Sequence, residues 1–358
     1  LAMTRGDLAA GDAPLARILY VVGLTASPHA EPDLAELEAE LAEAARSWPD
    51  RFEEALRLRG GVQVAALRRR YGRAFPVGYQ DQFDTAEALA DMEVIETLGP
   101  DRPMEARIYR AATDGPAGLR LKLYQVHAAA LLSDILPIVE SMGLKGLAEH
   151  GFEVMPDGGP SVWVHELFLR HVSGLVIDLD AIRAPLEQAV VAVWSGRTEN
   201  DGLNRLVLEM GASWREAALI RTLARYRRQS GLDPSRAVQE SALADHPAVA
   251  QLILDLFRAR FDPALAQSPP ERQASAEQVF TQILEALQAV ASLDADRVLR
   301  RLALLVQACV HTNYYQAAPD GAPKPYISIK IASRSLDDLP APKPFAEIFV
   351  WSPQVEGV

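Results

Sequence analysis

Cysteine occurs once in 358 residues, at Cys309. A single thiol excludes an intrachain disulfide and a cysteine metal cluster, and it suits a reducing cytosol, the expected cytoplasmic location. Lysine is scarce as well, five against thirty-one arginines, a bias that fits a GC-rich bacterial genome. Long apolar runs are missing. A membrane span needs roughly 18 or more apolar residues in succession, whereas the run 302–310 is short and broken by Gln307, so no membrane partner is expected. Positive charge is in deficit, with a formal net charge of −12. Nucleic-acid affinity comes from neutralised phosphates, so no nucleic-acid partner is expected. Arg221, Arg225 and Arg228 recur at helical spacing and are expected to form a solvated helix face. No signal-peptide pattern opens the chain at Leu1, and both ends read as boundaries inside a longer protein.

The fingerprints of chemistry are missing too. There is no Gly-x-Gly-x-x-Gly turn, no phosphate loop ending in Gly-Lys-Ser/Thr and no Gly-x-Ser-x-Gly elbow. His165-Glu166 begins like a zinc-protease motif, but the next histidine is His171, six residues on. On a strand those two positions share a face about 20 Å apart, too far for one metal. No metal is therefore expected at His165, His171 or any other histidine. Cys309 is placed on an apolar helical face two residues before His311, which points to a buried structural thiol. Glu36, Glu40 and Glu43 are assigned to a solvated face. No catalytic, cofactor-binding or metal-binding residue is expected before Val358.

What is present is a globular pattern, half apolar with an ordinary charge content. The first hundred residues read mainly as helix. Leu34, Leu37 and Leu41 form a stripe, Ser47 before Trp48-Pro49 restarts a helix that Gly60-Gly61 ends, and Asp84 with Glu87 suggests a capping box. The period then changes to two. Leu119, Leu121 and Leu123 alternate with polar residues, and residues 105–111 make the hairpin partner across Thr113-Asp114-Gly115-Pro116. A helix over 129–142 stops at Gly143. Strands follow at 147–155 and 161–171, split by Pro156-Asp157-Gly158-Gly159-Pro160, and then a helix over 180–194. This β-β-α-β-β-α run predicts an antiparallel sheet with two helices on one face, in the ferredoxin-like manner.

From 201 to about 310 the pattern is helical again. Val249, Leu252, Ile253, Leu256 and Phe257 form one stripe, and Ser268-Pro269-Pro270-Glu271 is a capping box. Phe280, Ile283, Leu284, Leu287 and Ala291 form a second stripe. Asp294 is expected to cap a helix facing its partners with Val298, Leu302, Leu305, Val306 and Cys309. The last forty residues alternate at Ile327, Ile329 and Ile331 and again over 347–351. Two strands are too few to make a domain, so they are expected to be poorly covered or paired with a neighbouring molecule.

The C-terminal stretch carries a resemblance. His311-Thr312-Asn313-Tyr314-Tyr315-Gln316, Tyr326-Ile327-Ser328-Ile329-Lys330, Leu339-Pro340-Ala341-Pro342-Lys343-Pro344 and the run from Glu347 to Val358 resemble the approach to the catalytic region of large bacterial NAD-specific glutamate dehydrogenases. Phe75-Pro76-Val77-Gly78-Tyr79 and the block Ala90-Asp91-Met92-Glu93-Val94-Ile95-Glu96 are similar to that family more loosely. The resemblance implies an α+β chain in which helices surround a ferredoxin-like, ACT-like sandwich, followed by a truncated β start of the catalytic domain. It divides the chain into a mainly helical region 1–100, an ACT-like domain 101–200, a helical bundle or linker 201–312 and the start of the catalytic domain 313–358. It implies a parent that oxidises L-glutamate to 2-oxoglutarate and ammonium with NAD, assembles as a homo-oligomer and can take an amino-acid effector. The family's catalytic lysines would lie beyond Val358, so the fragment is expected to bind no NAD and to be inactive alone. A free-standing ACT-like effector-binding module and a structural oligomerisation scaffold are the alternatives.

Overall fold

The computed structural model describes residues 33–358 apart from 230, 232 and 234. Expectations for residues before 33 lie outside the described residues. The chain divides into two compact units, Leu1–Arg51 and Phe52–Val358. In the first, Leu34, Leu37 and Leu41 fall on α1 (Leu34–Ala44). Helix α2 (Trp48–Arg59) starts where Ser47 donates to the Asp50 carboxylate, and it ends at Gly60 and Gly61, both in the left-handed region that only glycine adopts freely.

In the second unit, α3 (Val64–Tyr71), α4 (Val77–Gln82) and α5 (Thr85–Ile95) follow in short steps. The Asp84 carboxylate accepts the Glu87 N–H at 2.8 Å and so caps α5. Only that half of the capping box forms, because the Glu87 carboxylate is engaged by Arg107 and Lys122 instead.

The first sheet is antiparallel throughout, in the order β1-β2-β4-β3, with β1 (Met104–Tyr109), β2 (Gly118–Val126), β3 (Leu144–Val154) and β4 (Val162–His171). Helix α6 (Leu132–Ser141) joins β2 to β3, which run parallel with β4 between them. That is a split β-α-β unit, and β1 adds beside its first strand rather than last in sequence. Helix α7 (Leu179–Trp194) packs with α6 on one face. Leu119, Leu121 and Leu123 meet Ile135, Ile138 and Val139 of α6 and Ile182, Leu186 and Val190 of α7 in a single core. Pro137 and Pro185 sit inside these helices, where proline costs about 3 kcal/mol against alanine; core packing holds both helices in spite of it. Glu187 of α7 accepts the Ile108 N–H at 2.7 Å, so one outward amide of β1 is capped from within the unit.

The opposite sheet face is also covered, from the preceding segment. Phe152 on β3 meets Tyr79 and Phe83 edge-on, with ring centroids 5.6 and 5.7 Å apart.

A 3-10 turn at Gly202–Asn204 leads into α8 (Arg205–Met210) and α9 (Trp214–Gln229). Then come α10 (Arg236–Asp245), α11 (Pro247–Phe261), α12 (Pro269–Leu287) and α13 (Leu293–Ala308). Glu271 takes both the N–H and the hydroxyl of Ser268, as the capping box predicts. Two local expectations fail. Ser292, not Asp294, caps α13 by accepting the Ala295 N–H. On α12, Leu284 is exposed, and Ala291 lies beyond the helix end and is exposed, so the buried stripe narrows to Ile283 and Leu287 with Phe280 partly covered.

The second sheet is a meander, β5-β6-β7-β8, of β5 (Cys309–Thr312), β6 (Ile327–Ile331), β7 (Glu347–Trp351) and β8 (Glu356–Gly357). The expectation of a poorly covered pair of strands is overturned. Ile327, Ile329, Ile331, Phe349 and Trp351 are buried in the same core as Leu223, Phe257, Val298 and Leu302 of the helices. One face of the sheet rests on the bundle, and that core runs unbroken across residue 312.

Candidate functional site

The histidines singled out by the sequence are both buried and stand apart. His165 Nδ1 lies 2.7 Å from the Glu149 carboxylate, and its Nε2 accepts the Ala130 N–H at 3.1 Å. His171 reaches Glu209 at 3.3 Å and accepts the Ser173 N–H. Among the described residues no three His, Cys, Asp or Glu side chains gather as metal ligands would. Cys309 opens β5 instead of lying on a helical face, and burial pushes its thiol up to about 12. A thiol held protonated in this way is no nucleophile at neutral pH.

The densest polar centre lies between α5 and the first sheet. Glu87 and Asp91 are four residues apart on one side of α5, and Lys122 Nζ bridges them at 2.6 Å each. Arg107 grips Glu87 through both terminal nitrogens at 2.8 Å and reaches Asp91 at 3.3 Å. Tyr79 and Tyr124 each donate a hydroxyl to Asp91, at 2.6 and 2.7 Å. Burial first, then the Asp91 charge, pushes both phenols far above their ordinary value. Along the same face Tyr109 donates to Glu166, which also holds Arg120.

A lysine among carboxylates and tyrosines has the parts of a proton-transfer site. The side chains of Lys122 and Asp91, however, have no exposed surface. The work of this centre is mechanical. Two cations neutralise two carboxylates, every hydroxyl has an acceptor, and α5 is locked to β1 and β2.

A second centre surrounds α9, and here the solvated arginine face is overturned at Arg221 and Arg225, while Arg228 is exposed. Arg221 is fully buried and fastens Asp201 through two nitrogens at 2.6 and 2.8 Å, with Thr198 and Asn204 taking its other donors. Burial pushes the Asp201 carboxyl up, but hydrogen bonds and charge from Arg221 outweigh this and hold it below the usual range. Arg225 pairs with Glu199, whose carboxylate also accepts the Trp351 indole N–H at 3.1 Å. Arg225 and Arg228 both face Glu356 on β8, at 3.8 and 3.3 Å. Tyr226 donates to Glu347 on β7 at 2.7 Å. Arg227 and Arg301 each hold both Asp233 and Asp338, a closed square of alternating charge.

Beside that square lies a cleft of about 560 Å³ on α13, lined among others by Arg297, Arg300 and Arg301. Each of these cations already faces a carboxylate, Arg300 with Asp296 at 2.7 Å and Arg297 with Asp294 at 3.7 Å. Its lining carries four arginines against three aspartates, and ion pairs hold most of that charge.

None of these centres was assigned from sequence. A signal existed in Glu87 and Asp91, two acids at helical spacing amid apolar residues, and in Lys122 midway between Leu121 and Leu123. What the sequence does not show is that α5 lies on that face of the sheet.

Comparison with known proteins supplies the order of parts. Family models match the chain in five places. They are the glutamate dehydrogenase ACT2 domain at 5–49, helical motif 2 at 54–98, the ACT3 domain at 103–182, helical motif 3 at 198–263, and the catalytic domain of bacterial NAD-glutamate dehydrogenase at 282–358. The chain is 34% identical over 345 residues to the NAD-specific glutamate dehydrogenase of Halomonas elongata and 34% over 348 residues to that of Pseudomonas aeruginosa. To the protein of that name from Mycobacterium tuberculosis it is 35% identical over 336 residues. The first two alignments cover 96% of this chain and the third 92%, but the chain spans only about a fifth of each relative's length. The Arg221–Asp201 pair lies inside helical motif 3, while other contacts of the polar centres cross between matched parts. Lys122 joins helical motif 2 to ACT3, and the α9 arginines join helical motif 3 to the start of the catalytic domain.

Proposed function

We propose that the chain is a piece of a large NAD-specific glutamate dehydrogenase, the regulatory and linking stretch that carries ACT3 to the catalytic domain. The parent oxidises L-glutamate with NAD and water to 2-oxoglutarate, ammonium and NADH, works in the cytoplasm as a homo-oligomer and takes an amino-acid effector. The observation that carries this reading is the sequence of matched parts, with ion pairs that cross their junctions, Lys122 to Asp91 and Arg227 to Asp338. Apolar interfaces alone tolerate sliding, whereas a desolvated ion pair fixes one register because each misalignment strands a charge.

The residues present do not fit a nicotinamide site. The sequence has no Gly-x-Gly-x-x-Gly turn, and its one buried lysine centre is closed to solvent. NAD is therefore assigned to the parent and not to this stretch. The test is NADH formation from L-glutamate and NAD, followed by absorbance, with this chain beside the full-length enzyme. Turnover is expected from the full-length protein alone. Comparable turnover by the chain would place the active site within it.

A further inference from the structure

Two helices reach both cores: short α8, with Leu206 in one and Val207 and Leu208 in the other, and α9, the longer of the two. Near its N-terminus Ala217 is buried among Leu186, Val190 and Val207 in the core of the first sheet, and Trp214 packs against the same cluster. At Ala218, the next residue after Ala217, the partnership changes. Leu219, Ile220, Leu223 and Tyr226 belong to the core shared by the bundle and the second sheet. The far end carries Arg225 and Arg228, whose guanidiniums face Glu356 on β8.

From Trp214 to Arg228 an α-helix rises about 21 Å, at 1.5 Å per residue. No proline or glycine interrupts that span, so no sharp kink is built into it. The middle is fixed as well, since Arg221 is fully buried on Asp201 and stacks its guanidinium over the Trp351 ring at 5.6 Å. A shift of the first sheet against the bundle must therefore tilt α9 or empty one of the two cores. A tilt moves the pair of arginines that hold β8.

We propose that α9 is the element through which the ACT3 sheet unit acts on the start of the catalytic domain, with Arg225 and Arg228 as positioning residues that set β8 through Glu356. The proposal rests on the reading that the catalytic region continues from β8. It deepens that reading by naming the residues that pass the displacement.

The test uses hydrogen exchange, read by mass spectrometry on the full 358-residue chain. Arg225→Gln with Arg228→Gln should raise exchange at 347–357 about fivefold, as expected for lost local protection, and leave β1–β4 unchanged. Trp214→Leu, at the other end of α9, should raise exchange over the same residues. Combining it with the arginine changes should add little, because both act along one path. Ile135→Ala, on α6 in the same first core but off α9, should leave 347–357 alone. The proposal is overturned if Trp214→Leu has no effect there, if the effects add fully, or if Ile135→Ala does the same. Should Trp214→Leu prevent folding, Trp214→Phe takes its place.

In the full-length enzyme, Arg228→Gln should lower kcat more than it raises KM, with recovery in Arg228→Lys. Unsubstituted full-length protein that oxidises no glutamate would defeat the family reading and leave the exchange result standing.

Discussion

The two sheets have four antiparallel strands each and are built on opposite plans. The first is interleaved, β1-β2-β4-β3, and brings its own two helices to one face. The second is a plain meander whose cover comes from α9, α11 and α13, all earlier in the chain. A sheet that carries its own helices can be recognised from one continuous stretch of sequence. A sheet that borrows its cover cannot, because alternation at Ile327, Ile329 and Ile331 says that one face is buried but not by what.

The borrowed cover on the first sheet's other face is the most sensitive point of the comparison. Asp91→Ala leaves Lys122, fully buried, short of a partner and takes the acceptor from two tyrosines. We expect a loss of about 4 kcal/mol, the range for breaking a buried ion pair, measured by urea unfolding. A loss under about 1 kcal/mol would mean that α5 is not held to the sheet in this way.

Ile329→Ala probes the second sheet, with an expected loss of about 3 kcal/mol for a buried cavity. Were that sheet uncovered, the change would be far milder.

The charge on α9 gives a pH-dependent case. Asp201 has its carboxyl held below 3.8 in the folded chain, so the stability it adds is fully present above that value and is lost as pH falls through the folded one. Asp201→Asn should cost about 2 kcal/mol at neutral pH. The gap between variant and parent should close in acid, followed by thermal unfolding across pH. A constant gap down to the acid transition would show that Arg221 draws nothing from the Asp201 charge.

The smallest effect belongs to Ile348, exposed on the outer side of the second sheet. Ile348→Ala should stay within about 0.5 kcal/mol. A larger cost in the isolated chain would reveal cover on the face that the bundle leaves free.

Legibility followed the range of the interactions. The first sheet's strands, the turn at Gly158-Gly159, the stop at Gly143 and the Ser268 capping box depend on neighbours in sequence, and they were readable there. Arg221 and Arg225 were misread because their spacing is equally that of a wet face, whereas Arg228 is exposed. The partners of the three are Asp201, Glu199 and Glu356, and the last lies 128 residues from Arg228. Lys122 and Asp91 were missed for the same reason. A charged residue announces burial only through its partner, and the partner is a fact of the fold.

The capped amide at Ile108 sets a limit on assembly. Strand β1 lies against α7, and Glu187 occupies one of its outward donors, while β3 pairs with β4 alone among the described residues. A strand added beside β1 would meet an occupied donor at Ile108, whereas among the described residues no such cap stands along the outer edge of β3, so strand addition is the less opposed there.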